Sequence, residues 1–239
     1  LVDTVMMDVV HRGISIHSVM NSVFRVQRDA DGQLLAVNFE PDAEGYKEAL
    51  IHMEIDRQPD SALVGDITAV LRETLRELNC AVDDFQPMQQ RTTAITDEVR
   101  ELADNRGEAS LVEVKAFLTW LVENHFTFLA MQEYDVVEEQ GERQLRARAD
   151  TALGVARICD SLDLLQADEG PLIHEEKLIV FGKSGTRSRW HRPVYMDFIG
   201  IRKCDERGRV IGEYRWLGLY TSLVFNNSPR NFPIIGHKL

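Results

Sequence analysis

The stretch that most limits what this chain can fold into runs from Lys177 to Phe225: KLIVFGKSGTRSRWHRPVYMDFIGIRKCDERGRVIGEYRWLGLYTSLVF. Three apolar runs rich in β-branched and aromatic residues, Leu178 to Phe181, Val194 to Arg202 and Val210 to Phe225, are separated by two Gly- and charge-rich turns. That pattern predicts three consecutive antiparallel strands. Upstream, Phe126 to Val137 alternates, a turn falls at Gly141, and Gln144 to Ala149 forms another strand. Between Thr151 and Glu169 the pattern becomes helical and irregular, with Leu153, Val155, Ile158, Leu162 and Leu165 as its apolar positions. Two strands, a helical insertion and a three-stranded meander give the order of a PAS-like antiparallel sheet over 125–225, with a second ACT-like plait as the alternative.

The amino-terminal part reads differently. Val2, Val5, Met6, Val9 and Val10 form one helical stripe, closed by Gly13. Ile14, Ile16, Met20, Phe24 and Val26 then alternate with polar partners as a half-buried strand, ending at the turn Asp29-Ala30-Asp31-Gly32. A connection of undefined shape leads to a second strand, Ala49 to Asp56, expected to pair with the first as a long hairpin. Asp60 or Ser61 caps a helix with the stripe Leu63, Val64, Ile67, Val70, Leu71, Leu75 and Leu78, and Cys80 to Phe85 is expected as one more strand. Helix, strand, strand, helix, strand is a ferredoxin-like plait without its first strand, which would precede Leu1. Residues 88–124 carry two helical patterns, the second with a capping box at Ser110 and Glu113, and are expected to be a helical connector. The fold class is thus α+β: an ACT-like domain over 1–87, the connector, the PAS-like domain, and a Pro-containing linker over 226–239.

Composition narrows the class. At 44% hydrophobic and 28% charged, the 239-residue chain fits a globular protein and not a disordered, collagenous or disulfide-rich one. No apolar run reaches the length of a membrane span. Cys80, Cys159 and Cys204 are far apart and unpaired in sequence, which fits a reducing, cytoplasmic setting. The first ten residues lack the basic leader of a signal peptide, and the chain reads as a trimmed segment. The net charge of −12 is concentrated early, residues 1–87 holding 16 acidic against 7 basic groups. Gly182 to Arg215 is the reverse, with 9 basic and 4 acidic groups, which suits an anion or an acidic protein surface. Nucleic acid is not expected as a partner, because the overall sign opposes counterion release.

The wording RPVYMDFIGIRKCDERGRVIGEYRWLGLYTS, with ALIHMEIDR at Ala49–Arg57 and HFTFLAMQEY at His125–Tyr134, resembles the amino-terminal half of the large NAD-specific glutamate dehydrogenases. The resemblance implies an ACT-type regulatory domain here, with the catalytic lysine and the NAD-binding fold beyond Leu239. It implies a parent enzyme that oxidises L-glutamate to 2-oxoglutarate and ammonium, and a segment that is itself non-catalytic. Its partners would be the rest of the parent polypeptide, further copies in a homo-oligomer, and an amino-acid effector; no nucleic acid and no membrane is expected. Against this stand a free-standing ligand-sensing or scaffold protein built from the same domains, and a small enzyme using the Lys183 segment.

Motifs agree with a non-catalytic segment. No two of the 15 glycines are spaced two apart, so GxGxxG is missing in every form. Gly182-Lys183-Ser184 resembles the end of a phosphate-cradling loop, but the motif's first glycine would fall at Lys177 and another strand follows instead of a helix. Lys183, Ser184, Arg187, His191 and Arg192 match the family's KSxxRSxxHRP and form the candidate anion, effector or domain-contact loop, against a plainer reading as solvated or salt-bridged charge. Trp190 stands where the family has a small β-branched residue. His17 and His52 lie on strands expected to pair, where ordinary polar neighbours outweigh a metal site, and no metal is expected. Tyr195, Phe198, Tyr214, Trp216 and Tyr220 are read as sheet core over pocket lining.

Overall fold

The computed structural model describes residues 1–40, 44–106, 109–139, 141–158, 177–205 and 207–234. It divides into two compact units, Leu1–Thr74 with Arg189–Arg192, and Leu75–Ser188 with Pro193–Leu239. Both are mixed α+β, built on antiparallel sheets.

In the first unit, α1 (Val2–His11) precedes β1 (Ile16–Arg28), β2 (Leu34–Asn38) and β3 (Tyr46–Ile55), and the first turns of α2 (Ser61–Asp83) complete it. The strand order is β2-β1-β3. The expected hairpin exists as the β1–β3 pair, running from Ile16 opposite Ile55 to Val26 opposite Tyr46. β2 fills the connection that the sequence left undefined. A register shift between Ile16 and Ser18 reverses the alternation along β1. Ile16 therefore packs with Met53 and Ile55 against Val9, Ile14 and Ile67, while Met20, expected on the same side, is 59% exposed.

The expected strand at Cys80–Phe85 is helical instead. α2 continues to Asp83 and α3 (Phe85–Arg106) follows directly. The buried positions Glu77, Ala81, Asp84, Met88, Thr92, Ile95 and Val99 recur every three or four residues, the spacing of one helical face. Several are polar, so the apolar pattern alone suggested a short strand where a helix runs on. Pro87, in the first turn of α3, has no N–H for the carbonyl of Asp83, which sets the break between the helices.

In the second unit, α3 and α4 (Ala109–Trp120) cover one face of a sheet made by β4 (Phe126–Glu139), β5 (Glu142–Ala147), β7 (Ile179–Arg187), β8 (Tyr195–Cys204) and β9 (Val210–Tyr220). Its order is β5-β4-β9-β8-β7, and the two-residue β6 (Leu153–Gly154) pairs with β4. The three-stranded meander expected from Lys177 onward is β7-β8-β9, each strand antiparallel to the next. Met88, Ile95, Val99, Leu111, Val114, Phe117, Leu118 and Leu121 pack on Phe126, Phe128, Met131, Ile199, Ile201 and Trp216. The segment expected to be a connector thus supplies half of this core, and Ile234 of the expected linker is buried in it. Ser110, expected to cap, is the second residue of α4. Only one-turn helices and β6 precede Ile158 in the expected insertion; Leu162 and Leu165 lie outside the described residues.

Candidate functional site

The five basic-segment residues do not form one loop. Lys183, Ser184 and Arg187 belong to β7, in the second unit, while His191 and Arg192 group with the first. Lys183 Nζ donates to Asp197 Oδ1 at 2.5 Å, across the strand pair that sets Lys183 opposite Asp197. Ser184 is buried and its Oγ accepts the Thr186 N–H at 3.2 Å. Arg187 stacks over Tyr195 at 5.3 Å. Gly182-Lys183-Ser184 is therefore strand, with Gly182 opposite Phe198, and lacks the helix N-terminus a phosphate cradle uses.

Within the first unit, His191 has φ +64° and its N–H donates to Thr4 Oγ1 at 3.1 Å, with Asp3 3.8 Å from the ring. Trp190 is buried, with the Arg189 guanidinium over its ring at 5.9 Å. His17 and His52 do not face each other, since the partner of His52 is Met20. His17 instead meets Asp56 at 2.9 Å, and hydrogen bonds from Ser15 and His17 hold the Asp56 carboxyl below its ordinary range. Among the described residues no three His, Cys, Asp or Glu side chains are grouped to hold a metal. Nor is any described helix long and apolar enough to cross a membrane.

The denser chemistry lies on β4, β8 and β9, where the sequence had marked only the basic stretch Gly182–Arg215 and an aromatic series read as core. On the face under α3, Glu133 accepts from Arg91 at 2.9 Å and from Lys203, and Arg91 also donates to Glu98 at 2.8 Å. The Tyr214 hydroxyl donates to Glu98 at 2.6 Å, and Lys203 lies 4.1 Å from the Tyr214 ring centre. Burial disfavours the ionised Glu133, yet hydrogen bonds from Lys203 and Arg91 outweigh it and keep the carboxyl below its usual value. Burial likewise opposes the charge on Arg91, and Glu98 and Glu133 more than restore it. Burial, and then the neighbouring Glu98, pushes the Tyr214 hydroxyl well up. Glu133 and Arg91 are thereby held as a charged pair, and the Tyr214 hydroxyl keeps its proton.

On the opposite face, Glu213 meets Arg202 and Arg215 while Gln132 and Tyr134 lie beside them. Tyr134 stands opposite Glu213, and Gln132 opposite Arg215. The signal in the sequence was polar and charged residues inside strands that otherwise read as apolar: Gln132-Glu133, Arg202-Lys203 and Glu213. Of the aromatic series, Tyr214, Trp216 and Tyr220 sit in or against the core under α3 and α4. Phe198 lies on the other face, 5.3 Å from the Arg215 guanidinium.

Residues 1–71 match the family described as glutamate dehydrogenase, ACT1 domain. Over its whole length the chain is similar to the NAD-specific glutamate dehydrogenase of Halomonas elongata, with 38% identity over 254 aligned positions. It is 34% identical to the enzyme so named in Pseudomonas aeruginosa and 23% identical to that of Mycobacterium tuberculosis. The chain spans 15%, 15% and 14% of these relatives' lengths.

Proposed function

We propose, from its similarity along its whole length to NAD-specific glutamate dehydrogenases, that this chain is a non-catalytic amino-terminal regulatory and assembly segment of such an enzyme. The parent would oxidise L-glutamate to 2-oxoglutarate and ammonium in the cytoplasm, with NAD bound by other parts of the polypeptide. The observation that carries this reading is an alignment along all of this chain that takes in only 15% of the relative. The glycine spacing of a dinucleotide site is also missing from the 239 residues.

The reading divides the labour as follows. The first unit is the ACT-type module, whose β3 edge and exposed Met20, Tyr46 and Leu50 suit contact with further copies in a homo-oligomer. The second unit is PAS-like. Numbered from β4, its five long strands stand in the order 2-1-5-4-3, and its first two form a hairpin around Gly141. That hairpin is what favours it over a second ACT-like plait, whose first two strands would be joined through a helix. Lys183, Arg187, His191 and Arg192 serve as contacts for acidic surfaces of the parent polypeptide, while Ser184 is buried and takes no part.

The test is made on the parent enzyme. Deleting residues 1–239 is expected to change the oligomer mass in light scattering and the response to amino-acid effectors, while turnover per intact active site survives. An unchanged oligomer with chemistry abolished would refute the assignment. The reading frame beyond Leu239 is expected to contain a dinucleotide-binding pattern; a stop codon there would favour a free-standing sensor or scaffold.

A further inference from the structure

Between Ser188 and Val194 the chain makes a closed loop with one inward anchor. The Ser188 N–H donates to the Val194 carbonyl at 2.8 Å and fixes the neck. Arg189, His191, Pro193, Val194 and Tyr195 are exposed, whereas Trp190 among them is 2% exposed. Residues 189–192 group with the unit that holds α1, although they connect β7 to β8.

The anchor is carried on a turn that a residue with a side chain avoids. The Arg192 N–H donates to the Trp190 carbonyl at 2.7 Å, which makes a three-residue γ-turn, and its central residue, His191, has φ +64°. A positive φ marks the rare, strained form of this turn, which persists only where its surroundings hold it. The His191 side chain is 55% exposed, so its own burial does not hold it, and the exposed Asp3 carboxylate 3.8 Å from the ring adds little. Two other features do. Trp190 is buried, and the His191 N–H donates at 3.1 Å to Thr4 Oγ1, on a fully buried residue in the first turn of α1. Burial of the indole and the Thr4 bond favour the seated loop, while the strain at His191 favours its release.

We infer that residues 189–193 form a releasable strap, seated with Trp190 buried in the first unit and released with the turn at His191 relaxed and the Arg189–Trp190 bond exposed. Thr4 is its catch. Because Thr4 bonds the loop in the seated state alone, a shift of the first turn of α1 changes the seated population. Release leaves the sheets intact, since neither the neck bond nor the β7–β8 ladder uses Trp190 or His191. This device goes beyond the proposed regulatory role and does not depend on it.

The experiment is limited trypsin digestion of the chain, read by mass spectrometry as the rate of cleavage after Arg189. Each rate is divided by that of a peptide of residues 188–194 with the same sequence, so that protease preference cancels. Arg192 precedes Pro193 and resists trypsin, which leaves Arg189 as the reporter within the strap. In the parent chain the rate is expected to stay constant at low urea, as a local opening exposes little surface, and to rise at the global transition. Thr4→Val is expected to speed cleavage about threefold or more, and Thr4→Ser, which keeps the acceptor, to restore the parent rate. Trp190→Val is expected to speed it about tenfold or more. His191→Gly, which relieves the strain, is expected to slow it about threefold or more. The inference is overturned if cleavage after Arg189 follows global unfolding at every urea concentration, if Thr4→Val leaves the rate unchanged, or if His191→Gly fails to slow it. Should Trp190→Val fail to fold, the opposite effects expected of Thr4→Val and His191→Gly still decide the matter.

Discussion

Thr92→Val tests whether the second unit is held by a specific buried bond as well as by its apolar core. Trp216 on β9 is fully buried, and its indole N–H donates to Thr92 Oγ1 on α3 at 2.9 Å. Thr92 Oγ1 in turn donates to the Met88 carbonyl at 2.7 Å. Valine keeps the shape and the β-branch but removes the acceptor, so the indole N–H stays buried and unpaired at a cost of about 1–3 kcal/mol. The Met88 carbonyl keeps its helical partner, the backbone N–H of residue 92, so little is added on that side. Trp216→Phe removes the donor at the cost of a cavity. In the double substitution the unpaired donor is gone, and the total is expected to fall short of the two single costs by about 1–2 kcal/mol. The assay is urea unfolding followed by far-UV circular dichroism. Amide exchange of α3 is measured alongside, because a chain of two units can unfold in more than one step. A Thr92→Val chain within about 0.5 kcal/mol of the parent would refute the argument.

Glu133→Gln is expected to cost about 1–3 kcal/mol at pH 7, by taking the anion from between Arg91 and Lys203. The folded-state carboxyl lies below its unfolded value, so this contribution is complete above about pH 4.5 and is lost as pH falls through the lower folded value. The difference between parent and variant in urea midpoint should therefore shrink in acid, and a constant difference from pH 7 to pH 3 would refute it. Gly154→Ala is expected to leave little soluble protein or to lose about 3 kcal/mol or more in urea unfolding. Gly154 has φ +65°, and a Cβ would stand 2.2 Å from the Leu129 carbonyl oxygen. Tyr214→Phe, which removes the 2.6 Å bond to Glu98, is expected to cost about 1–2 kcal/mol in the same assay.

The meander from Lys177 onward was legible because β-branched and aromatic runs between Gly-rich turns admit few other structures. The β1–β3 pair was legible for the same reason. Three misreadings have identifiable causes. The continuation of α2 past Cys80 was hidden because Glu77, Asp84 and Thr92 occupy buried helical positions with polar side chains. Met20 was assigned to the core because a bulge, which reverses alternation, leaves no mark in residue type. β2 was missed because Leu34 to Asn38 is short and lies at the sheet edge. The candidate segment at Lys183–Arg192 was conspicuous by charge, yet its residues divide between the two units. Gln132, Tyr134 and Glu213 drew no notice, since a polar residue within a strand has no fixed neighbour until the register is known.

The register also ties the two polar sets together. Successive strand residues point to opposite faces, so Gln132 and Tyr134 flank Glu133, Arg202 adjoins Lys203, and Glu213 and Arg215 flank Tyr214. One set lies back to back with the other on the same three strands, and Glu133 and Tyr214 are bonded to Arg91 and Glu98 of α3. A shift of the Tyr134 or Arg215 backbone must therefore also move Glu133 and Tyr214, and through them α3. Arg91→Met with Glu98→Met removes these two side-chain bonds from α3 to the sheet and is expected to lower amide-exchange protection across residues 91–98. Unchanged protection there would show that α3 is held on the sheet without them, and that the two faces are energetically independent.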